Sequence, residues 1–225
     1  MIVKIKRQNS YNEPFYWQSF EYNGDKHVTV SAVLDSLNYT DDLFDIQGNP
    51  ARRIRWECSC LQAVCGGCAM IINGVPSLAC ATYVDKVKGK ELVLEPLSKF
   101  PVVADLMVDR SIIYENLNKA KAYLENIATK SDKKNYEQQY SVAKCIKCGL
   151  CLEVCPNYHP GADFYGAIFA NESYLIASQS ADKKPEIIKE YKKHFGAGCS
   201  KALSCQTICP IGIETITSIL RMNRK

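Results

Sequence analysis

The chain has 225 residues, enough for two domains of ordinary size, each with its own hydrophobic core. Hydrophobic residues make up 47% and charged residues 23% of it, and no apolar run approaches the roughly 20 residues of a membrane-spanning helix. The start, "MIVKIKRQNS", has neither the apolar stretch nor the cleavage site of a signal peptide. These features exclude a membrane bundle and predict a protein that stays in the cytoplasm.

The formal net charge of +4 counts twelve cysteines as neutral thiols. Cysteines of a cytoplasmic chain are kept reduced, so the presence of twelve cysteines favours metal ligation over disulfides. If eleven of them held three oxidised iron–sulfur clusters, each cluster with its ligands would carry about −2 and the total charge would become about −2. Lys and Arg are also spread along the chain, so the composition does not indicate a nucleic-acid partner.

The first hundred residues are typical of a small α+β domain, which we place at residues 1–103. Strands are predicted in "MIVKIKR", "EPFYWQSFEY" and "KELVLEPL", and a helix in "TVSAVLDSLNY" with Thr29 or Ser31 as its N-cap. Asn73-Gly74 lies between two short apolar runs, which predicts a tight hairpin.

Helical patterns take over in residues 104–225, for which we predict an all-α domain. The first predicted helix is "DRSIIYENLNKAKAYLENI", capped by Ser111. Others are predicted in "GADFYGAIFANESYLIA", in "KPEIIKEYKKHF" opened by Pro185, and in "IGIETITSILRM".

The first cysteine group has the C-x4-C-x2-C spacing of a plant-type [2Fe–2S] site in Cys60, Cys65 and Cys68, with Cys80 as the fourth ligand after the hairpin. Gly66 and Gly67 let the backbone approach the cluster and point N–H groups at its sulfurs. A structural zinc site is the alternative, although zinc favours two C-x2-C pairs and this group has one. Cys58 is interpreted as an extra cysteine on the strand that enters the loop.

Two twelve-residue runs follow, "CIKCGLCLEVCP" (145–156) and "CSKALSCQTICP" (199–210). The first matches the bacterial ferredoxin signature, in which three cysteines bind one cluster and the fourth binds the other. Applied to both runs, this rule predicts a [4Fe–4S] cluster on Cys145, Cys148, Cys151 and Cys209. The reciprocal set is Cys155, Cys199 and Cys205, and its fourth position is Ala202, so we predict a [3Fe–4S] cluster there. The alternative is a degenerate group that binds nothing.

These motifs, with "VCGGCAMIINGVPSLAC" and "FPVVADLMVDRSIIYENL", resemble the iron–sulfur subunit of succinate dehydrogenase and fumarate reductase, over most of the chain. The resemblance implies a β-grasp [2Fe–2S] ferredoxin domain followed by a helical domain with [4Fe–4S] and [3Fe–4S] clusters. It implies no catalytic residue in this subunit, which would relay single electrons between the FAD of a flavoprotein subunit and a quinone at a membrane anchor subunit. FAD, quinone and any haem b would be bound by those partners, and the chain would lie at the cytoplasmic face of the cell membrane.

Two segments depart from the family pattern. Leu61, Gln62 and Ala63 replace a charged loop and a glycine, which affects the first cluster's potential or its contact with the flavoprotein. Tyr158 and His159 follow the first run where many succinate dehydrogenases have a tryptophan beside quinone, which favours a menaquinone-linked fumarate reductase. His159 is a candidate for proton transfer to quinone, with a plain surface role as the alternative.

His27 and His194 lie in polar sequence surroundings and carry no functional hypothesis. Two other function classes stay open at this point. One is a freestanding ferredoxin-like carrier, and the other is a related oxidoreductase that acts on glycolate, glycerol phosphate or a thiol-linked substrate.

Overall fold

A computed structural model of the chain describes residues 1–128 and 133–224, without the side chain of Lys133. It divides into two compact units, Met1–Asp109 and Arg110–Lys225. The first unit therefore ends six residues later than the boundary expected from the sequence. It includes a short hairpin at residues 102–108, whose Asp105 is hydrogen-bonded to the first strand.

The first unit contains one α-helix, α1 (Val30–Asn38), two 3₁₀ turns at Ala79–Ala81 and Val84–Lys86, and nine strands. The strands are β1 (Ile2–Arg7), β2 (Tyr16–Glu21), β3 (Leu43–Phe44), β4 (Pro50–Ala51), β5 (Ala69–Ile72), β6 (Val75–Leu78), β7 (Leu92–Glu95), β8 (Val102–Ala104) and β9 (Met107–Val108). Five of them form a mixed sheet in the order β2-β1-β7-β5-β6. Its centre is the parallel pair β1 and β7, and the other pairings are antiparallel.

The strand and helix predictions for this unit are confirmed. Val3 and Ile5 of β1 are fully buried and alternate with partly exposed lysines, as a strand with one buried face requires. Helix α1 begins after Thr29, whose Oγ1 accepts the Ala32 N–H at 3.3 Å. Asn73 and Gly74 have φ values of 45° and 79°, and they connect β5 to β6 in a tight hairpin.

A buried ion pair ties the end of β1 to the segment that leads into the first cysteine group. The side chains of Arg7 and Asp105 are each 2% exposed, and their Nη2–Oδ2 distance is 2.9 Å. Arg7 also donates to the carbonyls of Arg52 and Arg53, and Asp105 accepts the Arg55 N–H. The pair therefore holds residues 52–55 against the sheet.

In the described part of the second unit, all regular structure is helical. The helices are α2 (Ser111–Lys119), α3 (Lys133–Ala143), α4 (Leu150–Glu153), α5 (Gly166–Gln179), α6 (Lys184–Tyr191), α7 (Ser204–Thr207) and α8 (Thr215–Met222), with a π-helical turn at Lys192–Gly196. A cluster of apolar side chains from α5, α6 and α8 forms the core, including Phe169, Tyr174, Ile187, Tyr191 and Ile219. Among the described helices, none is long and apolar enough to cross a membrane.

Several details of this unit differ from the predictions. Helix α2 ends at Lys119 because Lys121 adopts a left-handed φ of 47°, and its N-cap is Arg110, with Ser111 as the first helical residue. Helix α3 was not predicted because its buried face is largely polar: the Gln138 amide donates to the Ser218 hydroxyl of α8. His194 is 5% exposed and stacks on Tyr165 with ring centroids 4.0 Å apart, in contrast to its polar sequence surroundings.

Candidate iron–sulfur sites

The hairpin of β5 and β6 brings the third and fourth cysteines of the first group together. Cys68 immediately precedes β5, and Cys80 lies in the 3₁₀ turn that follows β6. The Ala79 N–H donates to the Cys68 carbonyl at 3.0 Å, which extends the strand pairing to the cysteines. As a result the two sulfur atoms, Sγ of Cys68 and Sγ of Cys80, are 3.3 Å apart.

The other two cysteines of the group form a second pair. The pKa of Cys60 is lowered to about 7, mainly by hydrogen bonds from the backbone amides of Gln62 and Val64. A hydrogen bond with the Cys65 side chain lowers it further. Burial raises the pKa of Cys68 to about 12. The four sulfurs are thus grouped as two pairs, an arrangement that fits a centre of two irons with two thiolates on each.

The loop between these cysteines directs backbone N–H groups at sulfur. Gln62 N–H donates to Cys60 Sγ and Ala63 N–H to Cys80 Sγ, both at 3.3 Å. Leu61 and Ala63 have left-handed φ values of 52° and 59°, which non-glycine residues rarely adopt. The residues that depart from the family pattern therefore shape the loop and supply two of its N–H donors.

Cys58 is exposed at the start of this loop. Gly67 has a different structural constraint, because a side-chain carbon there would lie 3.3 Å from the Glu57 side chain. Its N–H donates to Cys65 Sγ at 3.5 Å. The close approach expected at this glycine is therefore to a neighbouring side chain as well as to sulfur.

The four cysteines predicted for the [4Fe–4S] cluster line one pocket in the second unit. Three of them come from the loop before α4 and from α4 itself, and the fourth follows α7. The lining residues are Cys145, Cys148, Cys151, Cys209 and Cys205, the apolar side chains of Ile146, Ile168, Pro210, Ile211 and Ile213, and Gly149, Asn171 and Thr215. The pocket wall is therefore mostly apolar apart from its thiols.

This pocket disfavours thiolates in the absence of a cation. Burial raises the pKa of Cys148 to about 11, and it also raises the pKa values of Cys145 and Cys151. Bound iron supplies the positive charge that such thiolates need, because metal ligation requires the deprotonated sulfur. The Ile213 N–H donates to Cys209 Sγ at 3.4 Å and adds a fixed dipole. The donor set fits a buried iron–sulfur cluster.

Cys155 and Cys199 each lie close enough to Cys205 to interact with it electrostatically. Burial raises the pKa of Cys205, and the charges of Cys155 and then Cys199 raise it further. Ala202, in the same run, is exposed. The structure thus brings three thiols together and puts a methyl group in the position where the other run has Cys148.

The two runs also share an unusual backbone conformation. Lys147 and Lys201, the third residues of the runs, have φ values of 52° and 59°. Gly149 and Leu203, the fifth residues, have φ values of 86° and 58°. The sequence repeat is therefore also a backbone repeat, and it keeps Ala202 in register with Cys148.

In residues 1–128 and 133–224, no group of three or more His, Cys, Asp or Glu side chains is arranged around a position for a single metal ion. In an iron–sulfur cluster the thiolates bind several different irons, so they do not surround one point.

Comparison with known proteins finds profiles of iron–sulfur domains along most of the chain. The family profile described as a 2Fe-2S iron-sulfur cluster binding domain matches residues 2–115, and two profiles described as 4Fe-4S dicluster domains match residues 141–213 and 110–159. The succinate dehydrogenase iron-sulfur subunit of Bacillus subtilis is 31% identical over 230 residues, covering 98% of this chain and 90% of its own. The chain belongs to the iron–sulfur subunits of the succinate dehydrogenase and fumarate reductase family.

Members of this family with either name resemble the chain. The fumarate reductase iron-sulfur subunit of Escherichia coli O6:H1 is 31% identical over 200 residues, covering 84% of this chain and 79% of its own. A chain in the structure of the Mycobacterium smegmatis Sdh1 complex in the apo form has the same fold, with a TM-score of 0.75, 20% identity and coverage of 98% and 94%. The resemblance inferred from the cysteine motifs is confirmed, and the protein is an electron-transfer subunit of an oxidoreductase complex.

The segment after the first run places its two candidate residues differently. Tyr158 is 1% exposed, and burial followed by the charge of Cys151 raises its pKa to about 12. His159 is exposed, and its carbonyl accepts the Ala162 N–H at 3.2 Å. Tyr158 therefore belongs to the surroundings of the cysteines, while His159 is accessible to a partner.

The sequence did not indicate several polar groups around the pocket that contains Cys145, Cys148, Cys151 and Cys209. The Lys147 Nζ lies 2.5 Å from Glu172 Oε1, and both side chains are mostly buried. Lys147 Nζ also donates to the Cys145 carbonyl at 3.4 Å. Asn171 and Thr215, which line the pocket, were missed as well, since a single polar residue in a helix carries no recognisable spacing.

Proposed function

We propose that this subunit relays single electrons between the FAD of a flavoprotein subunit and a quinone at a membrane anchor subunit. Its ligand sets would be Cys60, Cys65, Cys68 and Cys80 for [2Fe–2S], Cys145, Cys148, Cys151 and Cys209 for [4Fe–4S], and Cys155, Cys199 and Cys205 for [3Fe–4S]. In this proposal the five-stranded unit is a β-grasp ferredoxin domain and the second unit is an all-α two-cluster domain.

The observation that carries the proposal is the pocket in the second unit. It assembles Cys145, Cys148 and Cys151 with Cys209, which follows them by more than fifty residues, so it contains the four cysteines that the crossed-ligand rule requires. Cys205, which we assign to the three-iron cluster, also lines this pocket. A chance collection of buried thiols has no reason to bring together these residues of two distant runs. Unpaired cysteines in a core are otherwise small apolar residues with no need to converge.

The chemistry comes from the bound groups, since iron–sulfur clusters gain and lose one electron at a time at potentials set by cluster type, charge and hydrogen bonds to sulfur. The residues of this chain hold and tune them. The N–H groups of Gln62, Ala63 and Ile213 are directed at cysteine sulfur and favour its anionic form. The mostly apolar wall of the pocket in the second unit keeps water away from the cysteines.

The [3Fe–4S] assignment depends on Ala202. A methyl group offers iron no ligand, and three thiolates suit a cluster with three irons. The shared left-handed residues of the two runs support this assignment, because they give the backbone on both sides of position 202 the same φ region as on both sides of position 148. We therefore interpret the alanine as the reason for a missing iron.

The partners and location follow from the family. We infer a flavoprotein subunit, a membrane anchor subunit and a peripheral position at the cytoplasmic face of the cell membrane. Menaquinone is the favoured acceptor or donor, because Tyr158 and His159 stand where many succinate dehydrogenases have tryptophan. Exposed His159 is then a candidate for proton transfer to quinone at the anchor.

Purification of the native protein tests the complex. A flavoprotein with FAD should co-purify with it, and the complex should couple succinate or fumarate to a menaquinone analogue. A protein that purifies without a flavoprotein would instead support the freestanding carrier.

Electron paramagnetic resonance tests the clusters. The air-oxidised protein should show a three-iron signal, and Ala202→Cys should diminish it in favour of a second four-iron cluster. Ala202→Val is the matched control, because its side chain is similar in size to cysteine and has no atom that can bind iron. A wild-type protein with only four-iron clusters would contradict the interpretation of position 202.

A further inference from the structure

Asn171 is a buried polar residue in the mostly apolar wall of the pocket in the second unit. It lies on α5, one turn after Ile168, and both side chains line the pocket with the cysteines. Asn171 is 4% exposed. An amide at such a position requires hydrogen-bond partners at both of its ends, because burial removes it from water.

One end of this amide has a partner and the other has none. Asn171 Nδ2 is 3.1 Å from the Thr215 hydroxyl oxygen, and Thr215 is 2% exposed at the first residue of α8. Asn171 Oδ1 has no partner among the described residues. In this orientation a carbonyl oxygen is left unsatisfied in a pocket lined by sulfur, which is itself an acceptor.

Rotating the amide by half a turn removes the unsatisfied carbonyl oxygen and directs a donor, in place of an acceptor, into the pocket. The nitrogen and oxygen of an asparagine amide are nearly the same size, and their assignment follows from the hydrogen bonds they can make. In the turned orientation, Oδ1 accepts the Thr215 hydroxyl proton and the NH₂ group takes the position of the unsatisfied oxygen. Its N–H groups then need acceptors, and sulfur is the acceptor that this pocket offers.

We propose that Asn171, positioned by Thr215, donates an amide N–H to the sulfur atoms of the four-iron cluster and raises its reduction potential. The inference rests on the proposed ligand set of Cys145, Cys148, Cys151 and Cys209. A reduced cluster carries one more negative charge than an oxidised one, so a hydrogen bond to its sulfur stabilises the reduced form more strongly. Asn171 thus tunes the potential of the cluster without binding iron, and Thr215 is the positioning residue.

The main test is a redox titration of the holoprotein, followed by the four-iron signal in electron paramagnetic resonance. Asn171→Leu keeps the size of the side chain and removes the donor. At a fixed potential, we expect its ratio of reduced to oxidised four-iron cluster to fall about tenfold, and for a one-electron couple tenfold corresponds to about 59 mV. Thr215→Val should move the ratio in the same direction by less, because the donor remains and loses its support.

Ser173→Ala is the matched control. Ser173 lies on the same helix, is fully buried and has a hydroxyl without a partner among the described residues, but it does not line the pocket. Its ratio should stay within about twofold of wild type. The signals of the other clusters should titrate unchanged in all three variants.

A second measurement works on the wild-type holoprotein and so does not depend on a variant that assembles. With ¹⁵N in asparagine side chains, pulsed paramagnetic resonance of the reduced four-iron cluster should show a nitrogen coupling. Its absence, or a ratio in Asn171→Leu equal to that in Ser173→Ala, overturns the proposal while the electron-transfer function stands. A wild-type protein without a four-iron signal overturns the proposed ligand set instead.

Discussion

Replacing Asp105 by alanine should destabilise the first unit strongly. Asp105 accepts four hydrogen bonds, from Arg7 Nε, Arg7 Nη2 and the N–H groups of Gln8 and Arg55, at 2.9–3.1 Å. The substitution leaves the Arg7 guanidinium buried without its carboxylate. Removing one partner of a buried pair costs about 3–5 kcal/mol, a large fraction of the ~5–15 kcal/mol that stabilises a typical domain.

The lost contacts also reach the first cysteine group. Asp105 holds the Arg55 N–H, five residues before Cys60. The change should therefore loosen the segment that enters the cysteine loop and lower the amount of [2Fe–2S] cluster that the purified protein retains. The two clusters proposed for the second unit should be retained, since their ligands lie on other elements.

Intrinsic fluorescence during urea unfolding of the full chain measures this effect selectively, because both tryptophans, Trp17 and Trp56, belong to the first unit. With a urea dependence of about 2 kcal/mol per M, the midpoint should fall by about 2 M. Lys6→Gln is the control: its ion pair with Glu95 spans 3.4 Å between side chains that are 32% and 29% exposed, and it should cost about 0–1 kcal/mol. If Asp105→Ala shifts the midpoint no more than Lys6→Gln does, the argument from burial is refuted.

Three further outcomes follow from the structure. Cys58→Ser should leave the paramagnetic signal of the [2Fe–2S] cluster unchanged, and loss of that signal would make Cys58 a ligand. Gly166→Ala should lower the free energy of unfolding of the second unit by about 2–4 kcal/mol, because Gly166 has a φ of 74° and an added carbon would collide with Leu152. Unfolding monitored by the helical circular dichroism signal measures this loss. Lys147→Gln should lower the potential of the four-iron cluster, because it removes a buried positive charge beside the cluster. Lys201→Gln, at the equivalent but exposed position of the other run, should leave that potential unchanged. Equal shifts in the two variants would show that burial of the charge does not matter.

The elements predicted correctly are those whose signal is local. The alternation in β1, the Thr29 cap of α1 and the Asn73-Gly74 turn each depend on a few adjacent residues. Helix α3 was not visible in the sequence, because it is held by contacts such as that of Gln138 with Ser218, 80 residues away. The buried position of His194 likewise depends on Tyr165, a residue of another segment.

The family and the candidate ligand sets could be predicted from the residues alone, because most cluster ligands occur at short fixed spacings and the crossed-ligand rule links the two runs. The polar groups that surround those ligands could not be predicted, because they come from segments that meet only in the folded chain. Asn171 meets Thr215 across 44 residues, Lys147 meets Glu172 across 25, and Arg7 meets Asp105 across 98. Such pairs leave no periodic trace in the sequence, since the burial that makes their hydrogen bonds obligatory exists only after the helices and strands have packed.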